Sequence, residues 1–164
     1  MEVIRPRFSI SGWLTSIALV IILVFLLQLA IRTLHSGQSS FFGIFILSII
    51  LGASIFFLLI YPTMRYELRT DALWLICGPF HWKIPYSEIK EIIKTDLRYH
   101  PTSTGWKLPG YTIGKVYYAD RGNVRMCATG MCKNIILIKT DEGLFGLTPR
   151  DETRFILSLK ARLR

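Results

Sequence analysis

The chain has 164 residues, of which 51% are hydrophobic, and a formal net charge of +9 at pH 7. This length accommodates one ordinary domain with attachments, and the hydrophobic fraction is high for a water-soluble domain of that size. Because a net charge of this size is ordinary for a solvated surface, nucleic-acid binding is not predicted, and no nucleic acid is expected as a partner.

Two long apolar segments follow the first ten residues. Residues 11–31 (SGWLTSIALVIILVFLLQLAI) and residues 41–61 (FFGIFILSIILGASIFFLLIY) carry no charged side chain. As a helix each would be about 31 Å long, which matches the hydrocarbon core of a bilayer. We predict two transmembrane helices, preceded by a cytoplasmic N-terminal segment over residues 1–10 and joined by a short extracytoplasmic loop over residues 32–40.

A cleaved signal peptide is the alternative interpretation of the first apolar segment, because Arg5 and Arg7 precede it. Its apolar part is longer than the usual core of a signal peptide, no small-x-small cleavage site closes it, and a second apolar segment follows at once. These features favour a membrane anchor.

Basic residues next to the spans predict their orientation. Arg5 and Arg7 precede the first span and Arg65 and Arg69 follow the second, whereas Arg32 is in the connection. Since Lys and Arg accumulate on the cytoplasmic side, both termini are expected to be cytoplasmic. Seven of the nine net positive charges fall in residues 65–164, so a weak attraction to anionic lipids is expected, of about 1 kcal/mol per basic group near the surface.

The three cysteines, Cys77, Cys127 and Cys132, lie on the predicted reducing side of the membrane, where disulfides are not expected. Cys77 with His81 and Cys127 with Cys132 would supply four zinc ligands, but their spacings match no strong zinc signature. Small buried strand residues are the simpler interpretation of Cys77 and Cys127, and neither a metal nor any other cofactor is predicted.

After Pro62 the chain alternates between turn residues and short runs rich in β-branched and aromatic residues, which is typical of strands. Strands are predicted over residues 65–69, 73–77, 80–84, 112–119, 124–129, 135–140 and 144–147, and in the Ile-rich second half of residues 86–99. Residues 100–110 (HPTSTGWKLPG) are predicted to form a loop. The short connections DRGN, GMCKN and DEG predict antiparallel hairpins, and a strand about every ten residues is typical of a barrel or sandwich.

The last segment has a helical period. Thr148 can cap a helix that has Pro149 at its first position. The apolar residues that follow share one face of such a helix: Phe155, Ile156, Leu159 and Leu163. A C-terminal amphipathic helix is therefore predicted.

The runs LPGYTIGKVYYADRGNVRMCATG and NIILIKTDEGLFGLTPRDETRFILSLK resemble the bacterial pleckstrin-homology (PH)-like domains. Common features are a Pro-Gly-aromatic entry, a Gly-containing hairpin, an LIKT-type strand and a Thr-Pro-capped helix, and members of that group often carry two membrane spans ahead of the domain. The resemblance implies a membrane-anchored α+β protein in which a transmembrane helical hairpin precedes a cytoplasmic PH-like domain over residues 65–164. That domain is expected to be an antiparallel β-barrel or sandwich of about seven strands, capped by the C-terminal α-helix.

No catalytic or ligand-binding residue is implied by the resemblance. Phosphoinositide-binding PH domains carry spaced Lys and Arg around their first hairpin, whereas the turn Thr70-Asp71-Ala72 is short and lacks them, so phosphoinositide recognition is not predicted. The three histidines of the chain fall in no Ser or Cys motif, and Gly114-Lys115 lies in a strand pattern and not in a P-loop. The protein is not expected to be an enzyme.

Two sets of residues are candidates for binding. Gly43, Ser48 and Gly52 on the second span would let another helix approach closely, which predicts a membrane-protein partner or a homo-oligomer. Four basic and aromatic residues in and beside the polar loop are expected to contact headgroups or a protein partner: Arg98, Trp106, Lys107 and Tyr111. A solvated loop with a buried Trp106 is the alternative.

These features predict a bacterial inner-membrane protein with two spans that anchor a non-enzymatic PH-like module for protein–protein or membrane-surface interaction. The lipid bilayer is a predicted partner of this module. The alternative is a small subunit of a membrane transport or envelope-defence complex, in which the spans themselves act. Neither span contains an ionisable residue, although pumps and ion pathways need such groups.

Overall fold

The structure, a computed structural model, describes residues 2–35, 41–101 and 105–163. In chain order its elements are β1 (Glu2–Ile4), α1 (Ile10–His35), α2 (Phe41–Thr63), β2 (Arg65–Leu68), β3 (Ala72–Cys77), β4 (Phe80–Pro85), a short 3-10 helix (Tyr86–Glu88), β5 (Glu91–Thr95), β6 (Trp106–Leu108), β7 (Tyr111–Tyr118), β8 (Gly122–Ala128), β9 (Ile135–Thr140), β10 (Gly143–Leu147) and α3 (Glu152–Arg162). Most of the predicted connection between the two apolar segments lies outside the described residues.

The two N-terminal helices, α1 and α2, pack against each other and are long and apolar enough to cross a membrane, by length and composition. Almost none of their residues is buried within the chain. A helix on the surface of a soluble domain buries an apolar stripe and exposes a polar face, whereas these helices expose apolar side chains such as Val20, Phe25 and Ile49. Both are therefore candidate membrane spans.

A four-stranded antiparallel sheet begins at the N-terminus of the chain. Its strand order is β1-β2-β3-β4, and Val3 of β1 lies opposite Glu67 of β2. The Ile4 side chain is only 7% exposed and belongs to the core. Residues 2–4, which the sequence placed in a separate N-terminal segment, thus form an edge strand of the first sheet.

A second, six-stranded sheet has the order β5-β9-β10-β8-β7-β6. The predicted hairpin between β8 and β9 is wrong, because β10 lies between them and pairs with β8 in parallel, with Phe145 opposite Arg125. Parallel neighbours need a long crossover, and β9 with its two flanking connections supplies it. The connection over residues 129–134 therefore passes across the end of β10.

The predicted loop over residues 100–110 contains a strand, β6. It pairs with β7 across the two-residue turn Pro109-Gly110, and Leu108 lies opposite Tyr111. Turn residues dominate the sequence of this stretch, so β6, a strand of only three residues, was not predicted. A short edge strand of this kind depends on its neighbour for its hydrogen bonds, so local sequence predicts it poorly.

The sheets are not closed into a barrel, so the expected barrel is wrong, and nine strands rather than about seven follow the helices in the described chain. One core cluster lies between the two sheets and α3, and its largest fully buried members include Tyr66, Leu75, Ile113 and Phe155. A second cluster, which includes Leu97, Val116, Met126 and Leu137, covers another face of the six-stranded sheet. Apolar side chains on both faces explain the continuous IILI run in β9.

A disulfide between Cys77 of β3 and Cys127 of β8 joins the two sheets. The expectation that no disulfide forms is therefore wrong. The sequence could not pair these residues, because they are 50 positions apart and meet only when the sheets pack, with their Cα atoms 6.3 Å apart. Both cysteines are fully buried, and Cys132 remains a free, half-buried thiol.

The C-terminal helix α3 packs Phe155 and Leu159 into the core, as its apolar period predicted. Its N-cap is Asp151, whose carboxylate accepts a hydrogen bond from Arg154 N at 2.9 Å, and not Thr148. The Thr148 hydroxyl instead accepts from Thr129 N at 2.8 Å, across to the end of β8. The prediction of Thr148 as the N-cap is wrong. A threonine hydroxyl can accept a hydrogen bond from a backbone N–H either at the start of a helix or across a sheet, and the sequence does not distinguish the two.

Candidate functional site

The turn between β6 and β7 lies against the first turns of α1. Gly110 has a φ of +99°, and a Cβ built on it would lie 2.0 Å from the backbone nitrogen of Gly12. Thr15 donates a hydrogen bond from Oγ1 to the carbonyl oxygen of Pro109 at 2.7 Å. At position 110 only glycine allows this approach of a loop backbone to a helix backbone, because a Cβ there would overlap the helix.

The turn between β3 and β4 lies against the last turns of α2 in the same way. Gly78, with a φ of +61°, would place a Cβ 2.9 Å from Cγ1 of Ile60. The rings of Phe56 and Phe80 pack edge to face with their centroids 6.4 Å apart, and Phe80 also stacks on Trp82. Aromatic contacts of this type contribute about 0.5–1.5 kcal/mol beyond the area they bury.

These two turns define the helix-facing end of the domain. The chain enters α1 from the segment that follows β1, and it leaves α2 at Thr63 directly into β2. Phe8 and Trp13 are 63% and 56% exposed beside this end. The sequence did not single out Gly12, Thr15 or Phe80, because the hydroxyls of Ser11 and Ser16 accompany that of Thr15 in the same part of α1 and it gives no distinct signal.

The four residues predicted to form one surface contact do not lie together on the surface. Tyr111 is 1% exposed and belongs to the core, so its assignment to a surface site is wrong, and burial raises its pKa to about 12. As the first residue of β7, it turns its ring inward while the turn before it stays outside. Trp106 is 57% exposed, so the alternative of a buried Trp106 is wrong as well.

Arg98 and Lys107 are linked through Tyr99, the residue that follows Arg98, whereas Tyr111 is distant from them. The backbone of Arg98 pairs with the end of β7, where Ala119 N donates to its carbonyl oxygen at 3.0 Å, and Arg98 N donates to Asp120 Oδ1 at 3.0 Å. Tyr111, at the other end of this eight-residue strand, is roughly 24 Å away along the chain. Lys107 lies over the ring of Tyr99, with Nζ 4.7 Å from the ring centroid.

The outer face of the first sheet carries a second group of charges, which compensate one another. Glu67 is 3% exposed and accepts hydrogen bonds from Arg65 and Arg69, both at 2.7 Å. The hydrogen bond from Arg65, followed by that from Arg69, lowers the pKa of the Glu67 carboxyl. Arg69 also lies 4.5 Å from the centroid of the Trp74 ring. These contacts stabilise the sheet and leave little charge for a ligand.

The residues considered as zinc ligands do not form a metal site in the part of the chain that the structure describes. No group of three or more His, Cys, Asp or Glu there has a geometry that could hold a metal ion. Cys77 and Cys127, two of the zinc ligands considered from the sequence, are joined to each other. Burial raises the pKa of the remaining Cys132 thiol, which disfavours the reactive thiolate.

The three residues predicted to pack against another helix lie on exposed parts of α2. A Cβ added at Gly43 or Gly52 would meet nothing within 4 Å. The Ser48 hydroxyl donates to the carbonyl oxygen of Ile44 at 2.9 Å, within its own helix. None of the three is covered by α1, and their role in helix packing stays a prediction.

Comparison with known proteins agrees with the strand-rich region and its terminal helix. A family model described as "Bacterial PH domain" matches residues 64–163, which is more than half of the chain. No curated protein and no solved structure gives a significant match. The matched region begins where α2 ends and includes every element from β2 to α3. The chain belongs to the bacterial PH domain family.

Proposed function

We propose that this protein is a bacterial inner-membrane protein in which α1 and α2 form a two-span anchor and the PH domain is a non-enzymatic module for protein or membrane-surface contact. PH domains are generally binding modules without catalytic groups, which supports the class of function. The observation that carries the proposal is the helix-facing end. Gly110 and Gly78 hold the domain directly against the ends of two apolar helices, so a bilayer around those helices would have the domain at its surface.

The orientation that we propose follows from charge. Arg5, Arg7, Arg65 and Arg69 flank the helices on the domain side, which favours the cytoplasmic face. The disulfide favours the opposite face, since such bonds persist mainly in oxidising compartments. Both cysteines are fully buried, however, and thiol–disulfide exchange needs access to the sulfur atoms, so burial would protect the bond from cytoplasmic reductants in the orientation that the charges favour.

Membrane fractionation tests the anchor. The protein is expected to stay in the membrane pellet after a carbonate wash, because two apolar helices leave a bilayer only at a large cost. Reporter fusions at Gln38 and at the C-terminus test the orientation, with Gln38 expected outside and the C-terminus inside the cell. A carbonate-soluble protein would contradict the anchor, and a C-terminus outside the cell would contradict the orientation alone.

Purification in mild detergent separates the module from the alternative function. We expect the chain to be recovered alone or as a homo-oligomer. A stoichiometric second membrane protein, retained through gel filtration, would instead favour a small subunit of a transport or envelope-defence complex.

A further inference from the structure

A cleft of about 200 Å³ lies where the domain meets the two helices. Three arginines line one part of it and apolar residues line the rest: Arg5, Arg7 and Arg150, with Pro6, Phe8, Pro62 and Met64. The residues come from the segment between β1 and α1, from the end of α2, and from the connection between β10 and α3. The cleft therefore combines positive charge and apolar surface at the helix-facing end.

Backbone pairing sets the position of two of these arginines. Arg150 N donates to the carbonyl oxygen of Arg5 at 2.9 Å, Arg7 N donates to that of Thr148 at 2.7 Å, and Pro6 and Pro149 form an antiparallel bridge between them. This register places Arg5 opposite Arg150. Like charges at directly opposite positions destabilise a strand pair, so an anion bound between the two guanidinium groups would remove a repulsion that the fold itself imposes.

No carboxylate in the described chain neutralises these two arginines. Of the ion pairs among residues 2–35, 41–101 and 105–163, none includes Arg5 or Arg150. The nearest carboxylates are already engaged: Asp151 caps α3, and Glu152 pairs with Arg7 and Lys94. The planar guanidinium group suits bidentate binding of phosphate oxygens.

The position of the cleft decides which phosphate it would meet. Phe8 is two residues before α1, and Met64 directly follows α2, so in the proposed anchor the cleft lies at headgroup depth. A larger groove of about 770 Å³ also includes Arg5 and Arg150, but it has mixed charge, from Asp151, Glu152 and Arg154, and it lacks the apolar residues Phe8, Pro62 and Met64. Basic pockets beside transmembrane helices bind the headgroups of anionic lipids.

We propose that Arg5 and Arg150 bind the phosphate of an anionic phospholipid from the same leaflet in which the helices are anchored, with Phe8, Pro62 and Met64 against its glycerol and upper acyl region. This inference rests on the proposed membrane anchor and adds the ligand class and its site. It assigns the lipid contact to Arg5 and Arg150, which are 145 positions apart in the chain, and not to Arg98 and Lys107.

The test uses the full chain in a neutral detergent and measures the binding of phosphatidylglycerol, phosphatidylcholine, glycerol phosphate and inorganic phosphate by native mass spectrometry. Phosphatidylglycerol is expected to bind most tightly, and the Arg5→Gln/Arg150→Gln variant should bind it about tenfold or more weakly, as the loss of two charge-assisted contacts predicts. The matched control, Arg121→Gln/Lys133→Gln, removes the same charge from exposed sites and should change binding by about twofold or less.

Equal loss in the two double variants would overturn the site in favour of diffuse attraction, and no loss in either would place the lipid elsewhere. Binding of inorganic phosphate as tight as that of phosphatidylglycerol would overturn the lipid as its source. A second measurement guards against misfolding: without lipid the Arg5→Gln and Arg150→Gln single variants should unfold at or above the wild-type temperature, because the repulsion is relieved, and a lower temperature would contradict that repulsion. Extraction of the protein by carbonate would refute the anchor. If the protein stays in the membrane but the lipid-binding results contradict the expectation, only the lipid site is refuted.

Discussion

Cys77 and Cys127 join the two sheets of the domain through a disulfide whose Cα atoms lie 6.3 Å apart. Because the bond closes 50 residues of chain, the chain-entropy model predicts that it stabilises the fold by about 4 kcal/mol. The Cys77→Ala/Cys127→Ala variant is expected to lower the unfolding temperature in detergent markedly, and Cys132→Ala should lower it less. After denaturation without reductant, alkylation should label one cysteine per chain; three labelled cysteines would contradict the bond.

The contact between Gly110 and Gly12 can be separated from backbone strain. Gly110→Ala places a Cβ 2.0 Å from Gly12 N and also forces an L-residue to a φ of +99°. Gly122→Ala is a matched control, because Gly122 has a φ of +72° and nothing within 4 Å of an added Cβ. Both variants should lose about 1–2 kcal/mol through strain, and Gly110→Ala should lose more in thermal unfolding. Equal losses of stability in the two variants would show that the turn at Gly110 does not contact α1.

The N-terminal strand is expected to contribute to the stability of the domain. Ile4 is 7% exposed in the core, so Ile4→Ala should cost about 2–5 kcal/mol of unfolding free energy. Its neighbour Val3 is 47% exposed, and Val3→Ala is the matched control, with a smaller expected change. Equal, small effects in a denaturant titration would mean that residues 2–4 are not part of the folded domain.

Acid should weaken the first sheet through Glu67. Its hydrogen bonds with Arg65 and then Arg69 lower its pKa below the ordinary value of 4.5. A carboxyl whose pKa is lower in the folded state stabilises the fold above its unfolded pKa and loses that contribution as the pH falls through the folded pKa. The wild type should therefore lose stability relative to Glu67→Gln as the pH falls from about 5 toward 2. If the difference in unfolding free energy between the two proteins stayed constant over that range, the ion pairs of Glu67 with Arg65 and Arg69 would be contradicted.

Local sequence determined those features that depend on a short window. The two apolar runs predicted α1 and α2, alternating β-branched residues predicted most strands, and the spacing of Phe155 and Leu159 predicted the buried face of α3. The family was also recognisable, because its turns and the terminal helix have local signatures. A helical or strand period is set by neighbouring residues, so it can be read without knowing what packs against it.

Only the tertiary structure decided which distant residues meet. The parallel pairing of β8 with β10, the Cys77–Cys127 bond and the position of Arg5 opposite Arg150 all join parts of the chain that no local pattern links. Only the tertiary structure decided the burial of Tyr111 as well, because the sequence around it is compatible with an exposed contact and with a core position. Its burial depends on the sheet that packs over it, because the free energy of burial is gained from partners and not from the residue alone.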